Sequence, residues 1–374
     1  MKKIYWIINQ YQKIGGSEIV SSYLANSLAK ECDLTVVLLS NDEINYDLYN
    51  VDENLKIIKL NIDKEIIRNE DYLSKPNFFK KFVLVLKLIH INLLGKYKYR
   101  RFIKKMTTNE DIIICSSPFS YLIAPRGRKV IFHLHYNSRY FTSFSNKFLH
   151  TFFYIKLTKY VFLTKETMEK MKHKNDTKAI YINNPAKFKR EQILATHKKL
   201  KIVFIARYEQ QKRPLKAIEV LGELAKKTTN FKASFYGGGY YFLEMVDKVK
   251  ELNLTSLVKV HDTFCDAKKV LSDSDVLILT SEFEGFQLSV IEAASLSVPT
   301  ISYDFGDGID DVINNEKTGF IIPYNDKEKF VEKLLFFSNN QEELIQFKKN
   351  AYLFSKKFEI DRIKEEWLNL FNLI

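Results

Sequence analysis

The chain has 374 residues, with 58 Lys+Arg against 45 Asp+Glu and a formal net charge of +13. That length suits two domains of ordinary size, each able to bury its own core. Cys32, Cys115 and Cys265 show neither paired nor metal-ligand spacing, so a reduced, cytoplasmic compartment is the simplest reading. The start, Met1-Lys-Lys-Ile-Tyr-Trp-Ile-Ile, runs into a strand-like stretch with no small-residue cleavage site, and no signal peptide is expected. No stretch reaches the roughly 18 uninterrupted apolar residues of a membrane span.

In chain order, Ile4 to Ile8 reads as an apolar strand, Glu18 to Lys30 as an amphipathic helix and Leu34 to Leu39 as the next strand. Further strands are expected at Ile112–Cys115, Val130–His135, Val161–Thr164 and Ala179–Ile182. A break falls at Asn183-Asn-Pro185 and continues through the polar stretch Lys187–Lys199. A second series follows at Lys201–Ile205, Ala233–Tyr236, Val258–Val260 and Val276–Thr280, then a helix over Leu288–Leu296 and a strand over Val298–Tyr303. Strands alternating with helices imply mostly parallel sheets. The order predicts two Rossmann-like α/β domains, 1–185 and 186–355, facing each other across a cleft that forms the active site.

The charge is uneven: residues 1–200 carry a balance of +17 and residues 201–374 one of −4. Its densest part, Phe78 to Lys105, holds nine cations and no acid, with apolar residues between them. Two readings fit: a segment lying on an anionic membrane or polymer, or a core-packed helix with a Lys-rich outer face. No helix-turn-helix, zinc or RNA-recognition pattern accompanies the charge, so a nucleic-acid partner is not expected.

The most informative feature lies in Ser281-Glu-Phe-Glu-Gly-Phe-Gln-Leu-Ser-Val-Ile-Glu-Ala-Ala294. It follows a buried strand, so Glu284 and Gly285 fall on a loop and Glu292 about one turn inside the next helix. Loops and free helix amides at the carboxyl ends of parallel strands bind phosphates and sugars. Two carboxylates at this spacing suit two hydroxyl-bearing parts of one ligand, with the amides between them on its diphosphate.

These residues resemble the retaining nucleotide-sugar glycosyltransferases of the GT-B fold, the group that carries a Glu, seven residues, Glu motif. The resemblance rests on Ser281, Glu284-Gly-Phe286, Glu292-Ala293, Val298-Pro-Thr-Ile301 and Thr318-Gly-Phe-Ile-Ile-Pro323. It extends to Val203-Phe-Ile-Ala-Arg207 with Lys212, and to Ile14-Gly-Gly-Ser-Glu18 as a donor-side glycine loop. The resemblance implies that Glu284 holds donor-sugar hydroxyls and Glu292 the ribose hydroxyls. It makes Arg207 and Lys212 the cations on the leaving diphosphate, and His135 a donor-sugar contact beside His133. Which of the two histidines faces the donor stays open. Gly15, Gly16, Gly285, Phe286, Gln287, Leu288 and Ser289 would complete the donor site. Gln287 stands where the family commonly has Gly.

Tyr303-Asp304 with Gly308, Asp311 and Ile313 is similar to bacterial enzymes that α-glycosylate wall teichoic acid or serine-rich adhesins. Asp307 and Ile309 depart from that subgroup, where an aromatic and a Pro are expected. Asp273-Ser-Asp275 imitates the metal-binding pair of another glycosyltransferase fold, but it precedes a buried strand, and no catalytic metal or cofactor is expected. A final helix, within 356–374, is expected to cross back to the first domain.

The expectation is a metal-independent hexosyltransferase, cytoplasmic or peripheral on the inner membrane face. It would move glucose or N-acetylglucosamine from a UDP-sugar to an anionic or lipid-linked surface glycan, wall polymer or glycoprotein. A catalytically silent GT-B subunit and a nucleotide-sugar epimerase are the alternatives. Gly237-Gly-Gly239 reads as a strand-to-helix turn only, since its spacing does not match a dinucleotide fingerprint.

Overall fold

Short, wholly apolar runs form the central strands of two parallel sheets, because a strand covered by helices on both faces must be apolar on both. The first sheet holds β1 (Lys3–Ile8), β2 (Asp33–Ser40), β3 (Lys56–Ile62), β4 (Ile112–Cys115), β5 (Lys129–Leu134), β6 (Lys159–Phe162) and β7 (Ala179–Tyr181). Its strand order is β3-β2-β1-β4-β5-β6-β7. The second holds β8 (Leu200–Ile205), β9 (Phe231–Gly237), β10 (Val258–Asp262), β11 (Val276–Leu279), β12 (Thr300–Tyr303) and β13 (Gly319–Ile322), in the order β10-β9-β8-β11-β12-β13. This computed structural model describes residues 2–9, 16–40, 43–49, 51–62, 97–135, 157–172, 176–263 and 266–374. Gly15, Cys265 and the part of the basic segment before residue 97 lie outside them.

In each sheet the first strand pairs in parallel with neighbours on both sides, β1 with β2 and β4, β8 with β9 and β11. The connections therefore reverse direction between β1 and β4 and between β8 and β11. A crevice opens at the carboxyl ends of such a pair, and ligands of open α/β sheets bind there. The edge strand β3 was not read from the sequence, because Lys56 and Lys59 interrupt its apolar run and only β2 supports it.

The last helix, Ile360–Leu373, packs on the helix Gly16–Leu28 of the first domain. It inserts Trp367, 1% exposed, against Trp6 with ring centroids 5.7 Å apart. Residues at the two ends of the second domain are clamped together: Ala186 N donates to Phe358 O at 2.9 Å, and Arg190 reaches Glu359 Oε1 at 2.7 Å and Tyr352 O at 2.6 Å. A second junction joins the domains on the carboxyl side of β6 and β12. There Lys170 Nζ lies 2.6 Å from Asp307 Oδ1, Gly308 N donates to Glu166 Oε2 at 2.9 Å, and Lys165 N donates to Asp311 Oδ2 at 3.2 Å.

Candidate functional site

Lys212 and Glu284 lie on the segments that follow β8 and β11, the two strands that flank the reversal in the second sheet. Beyond β8 the chain makes a tight turn, Gln210–Lys212, and enters the helix Pro214–Lys227 through Arg213 at φ +48° with Pro214 as its first residue. The end of β11 grips that turn. The Thr280 hydroxyl reaches Lys212 O at 3.0 Å and Arg213 O at 2.9 Å, and Glu282 N donates to Gln211 O at 2.9 Å. Lys212 Nζ thereby lies 2.6 Å from Glu284 Oε1, and the two side chains are only 13% and 6% exposed. Gln211 Nε2 donates to Phe283 O at 2.8 Å and fixes the loop from the other side. Arg207 sits on the rim, its side chain half exposed and paired with Glu209 Oε1 at 2.9 Å.

A glycine turn braces the cationic loop, a role its sequence reading as a plain turn did not reveal. Tyr208 N donates to Gly238 O at 2.8 Å, Tyr241 N to Tyr208 O at 3.3 Å, and Gln210 N to the Tyr240 hydroxyl at 2.7 Å. The approach is so close that a β-carbon on Gly237 would stand 1.9 Å from Ala206 O, and one on Gly239 2.5 Å from Tyr208 O. Both backbones are at positive φ, where glycine alone is unstrained.

After Glu284, the loop of Gly285 and Phe286 leads to Gln287, which is buried and precedes the helix Leu288–Ser295 without a side-chain cap bond to its amides. The N–H groups of the first turn carry the partial positive charge of the helix terminus. The Ser289 hydroxyl beside them is buried with no hydrogen-bond partner among the described residues. The first domain meets this terminus directly, since a β-carbon on Gly16 would come within 3.2 Å of Leu288 Cδ1. Phe286 stacks edge-on to Phe358, with centroids 6.0 Å apart. Glu292, a turn further on, is desolvated enough that its carboxyl is pushed up to about 7 from an ordinary 4.5, with Lys187 opposing the rise.

His135 stands just past the carboxyl end of β5, and His133 lies deeper on the same side, 1% exposed, with the ring centroids 4.2 Å apart. His133 packs edge-on to Trp367 at 5.0 Å and faces Trp6 at 6.0 Å. Burial pushes the His135 pKa down to about 4, and burial together with the neighbouring His135 holds that of His133 well below its usual 6.5, so both imidazoles are neutral at pH 7. Both His133 nitrogens and His135 Nε2 lack hydrogen-bond partners among the described residues. A neutral imidazole at a strand end offers one donor and one acceptor to a sugar.

Asp273 and Asp275 stand at the amino end of β11, the opposite edge of the sheet from Glu284. Asp275 is held by His197 Nδ1 at 3.1 Å, Lys201 N at 2.9 Å and Lys348 Nζ at 3.6 Å, and Asp273 by Lys201 Nζ at 2.7 Å. These contacts tie the helix Gln341–Phe354 and the segment of His197 to the amino edge of the sheet, opposite the edge that carries Glu284.

Comparison with known proteins bears on the second domain and on the fold. Residues 185–354 match the family model of the glycosyl transferases group 1. Over 98% of this chain and 99% of its relative, the sequence is 25% identical to an uncharacterized glycosyltransferase of Haemophilus influenzae. It is 27% identical, over 99% and 98%, to the GalNAc-alpha-(1->4)-GalNAc-alpha-(1->3)-diNAcBac-PP-undecaprenol alpha-1,4-N-acetyl-D-galactosaminyltransferase of Campylobacter jejuni. The structure aligns over 100% of both chains, with a TM-score of 0.78 and 17% identity, with a mutant of Staphylococcus aureus TarM in complex with fondaparinux, alpha-GlcNAc-glycerol and UDP. The fold is GT-B, two Rossmann-like domains with parallel sheets. Within that class, residues 185–354 form a glycosyl transferases group 1 domain.

Proposed function

We propose that the protein transfers a hexose of the glucose or N-acetylglucosamine type, with retention of the anomeric configuration, from a UDP-sugar to a bacterial surface glycan, lipid-linked saccharide, wall teichoic acid or glycoprotein. The observation that carries this reading is the covered Lys212–Glu284 pair beside the uncapped amides of Leu288–Ser295. That arrangement supplies hydroxyl acceptors and diphosphate donors within one crevice. UDP bound to TarM and the α-linkage named for the Campylobacter jejuni relative support the donor and the stereochemistry.

Glu284 accepts hydrogen bonds from donor-sugar hydroxyls, and Glu292 from the ribose. Lys212, Arg207 and the helix amides neutralise the diphosphate as its bond to the anomeric carbon breaks, with no divalent ion in that role. His135 orients the sugar as a neutral imidazole. The acceptor hydroxyl attacks from the face the diphosphate leaves, and its proton passes to the departing phosphate oxygen. Because no enzyme group forms a covalent bond, these residues act by position and charge.

A panel of nucleotide sugars, scored by thermal shift and slow donor hydrolysis, tests the assignment. A UDP-hexose that raises the melting temperature and is hydrolysed with release of the α-anomer is the expected result. Conversion of the donor sugar to its epimer would assign the chain to another class. Absence of any nucleotide effect would make it a silent subunit.

A further inference from the structure

The carboxyl edge of the second sheet also carries a cavity, and none of its lining residues belongs to the donor site. It lies at the ends of β11, β12 and β13, which are neighbours in the sheet, has a volume of about 240 Å³ and is lined by Glu282, Asp304, Gly306 and Tyr324. Its walls are held in place. Glu282 N donates to Gln211 O at 2.9 Å, and Asp304 N to Ile322 O at 2.7 Å. The Asp304 carboxylate accepts from Gly306 N at 2.8 Å, in a turn where Gly306 stands at φ +85°. The Arg213 guanidinium lies 4.8 Å from the centre of the Tyr324 ring and donates to Asn325 Oδ1 at 2.8 Å, so the ring is fixed while 44% of the residue stays exposed. Phe283, next to Glu282 in the chain, is exposed to 37%.

We infer that this cavity is a saccharide subsite, which seats a neutral sugar unit of the acceptor beyond the unit that reacts. Two carboxylates beside a fixed aromatic ring match the two surfaces of a pyranose. Its hydroxyls donate to Glu282 and Asp304, which accept only, and its apolar C–H face packs on Tyr324. Neighbouring strands stand about 4.8 Å apart, so a unit held over β12 is offset from Glu284 at the end of β11 and adjoins the donor sugar without displacing it. None of the lining residues is a cation, and a phosphate-bearing polymer would bring like charge against both carboxylates. The subsite rests on the proposed transfer only in taking the bound saccharide for an acceptor. Among the acceptors named there it selects a neutral glycan or lipid-linked saccharide over wall teichoic acid.

Fluorine NMR of the full chain labelled with fluorotyrosine reads the cavity directly, because the Tyr324 resonance is the one lost in Tyr324→Phe. Titration with maltotriose, chitotriose and a galactose trisaccharide should shift that resonance saturably for at least one of them, and poly(glycerol phosphate) should leave it in place. Glu282→Gln combined with Asp304→Asn should weaken the affinity read from the shift about tenfold, the usual difference between a charged and a neutral hydrogen-bond acceptor. Neither side chain is buried and both backbone bonds are kept, so melting temperatures should match the parent. A Tyr324 resonance that no neutral trisaccharide moves overturns the inference, as does a double variant that titrates like the parent or an equal response to poly(glycerol phosphate). UDP-dependent thermal shifts on the same preparations keep the two readings apart: an absent UDP shift speaks against the transferase, whereas an unmoved Tyr324 resonance beside an intact UDP shift speaks against the subsite alone.

Discussion

Lys212 and Glu284 are 72 positions apart in the chain and 2.6 Å apart in the fold, each shielding the charge of the other at the reversal point of the second sheet. Arg207, five residues before Lys212, makes its ion pair at the solvent-exposed rim instead. The two cations therefore differ in what their removal does to the fold, although both are assigned to the diphosphate.

Arg207→Ala should lower turnover about 100-fold while leaving stability nearly unchanged. Lys212→Ala should lower turnover as much and also cost up to about 3 kcal/mol of stability, because it strands a covered carboxylate. Lys212→Met combined with Glu284→Gln should recover the melting temperature without recovering turnover. Equal melting temperatures for the two alanine variants would remove the distinction.

The Lys170–Asp307 contact joins the domains beside the cleft, with Asp307 almost buried and Lys170 half exposed. Asp307→Asn should weaken donor binding about fivefold, the equivalent of about 1 kcal/mol for one partly exposed ion pair. Exchanging the charges with Lys170→Asp and Asp307→Lys should restore part of it. Calorimetric titration with UDP reads the effect, and unchanged affinity in Asp307→Asn would show that the junction does not set the cleft.

Glu292 contributes a pH dependence of defined sign. Its carboxyl titrates near 7 in the fold against an ordinary 4.5, so between these values the folded chain keeps a proton that the unfolded chain has lost. Stability should fall as pH rises from about 5 to 7 and level off above, by up to about 3 kcal/mol. Glu292→Gln should flatten that slope and melt higher than the parent above pH 7, while binding UDP about tenfold more weakly. Parallel melting profiles for parent and variant would contradict the desolvated carboxyl.

Gly239→Ala should displace the loop of Arg207 and Lys212, since the new β-carbon meets Tyr208 O at 2.5 Å. A turnover loss of at least about tenfold is expected, with about 1–3 kcal/mol of instability. Gly127→Ala is the control: at φ +74° with nothing within 4 Å of the new atom, it carries backbone strain without a clash and should keep its turnover.

The β11–loop–helix unit was legible in the sequence because its elements are local. A four-residue apolar run, Val276–Leu279, reads as a strand, and Glu284 and Glu292 then follow at positions set by chain spacing alone. Two Rossmann-like halves followed from a succession of such units, and the GT-B class from the resemblance of the motifs to that family. Tertiary structure alone decided which side chains meet. It closed Lys212 onto Glu284 and left Arg207 at the rim. It stacked Gly237 and Gly239 under the β8 loop, buried His133 against Trp367 from the far end of the chain, and gave Asp307 a partner, Lys170, in the other domain. Local pattern follows from hydrophobic periodicity and turn chemistry over a few residues, whereas these contacts depend on how strands distant in sequence stack in order and on how two domains face each other.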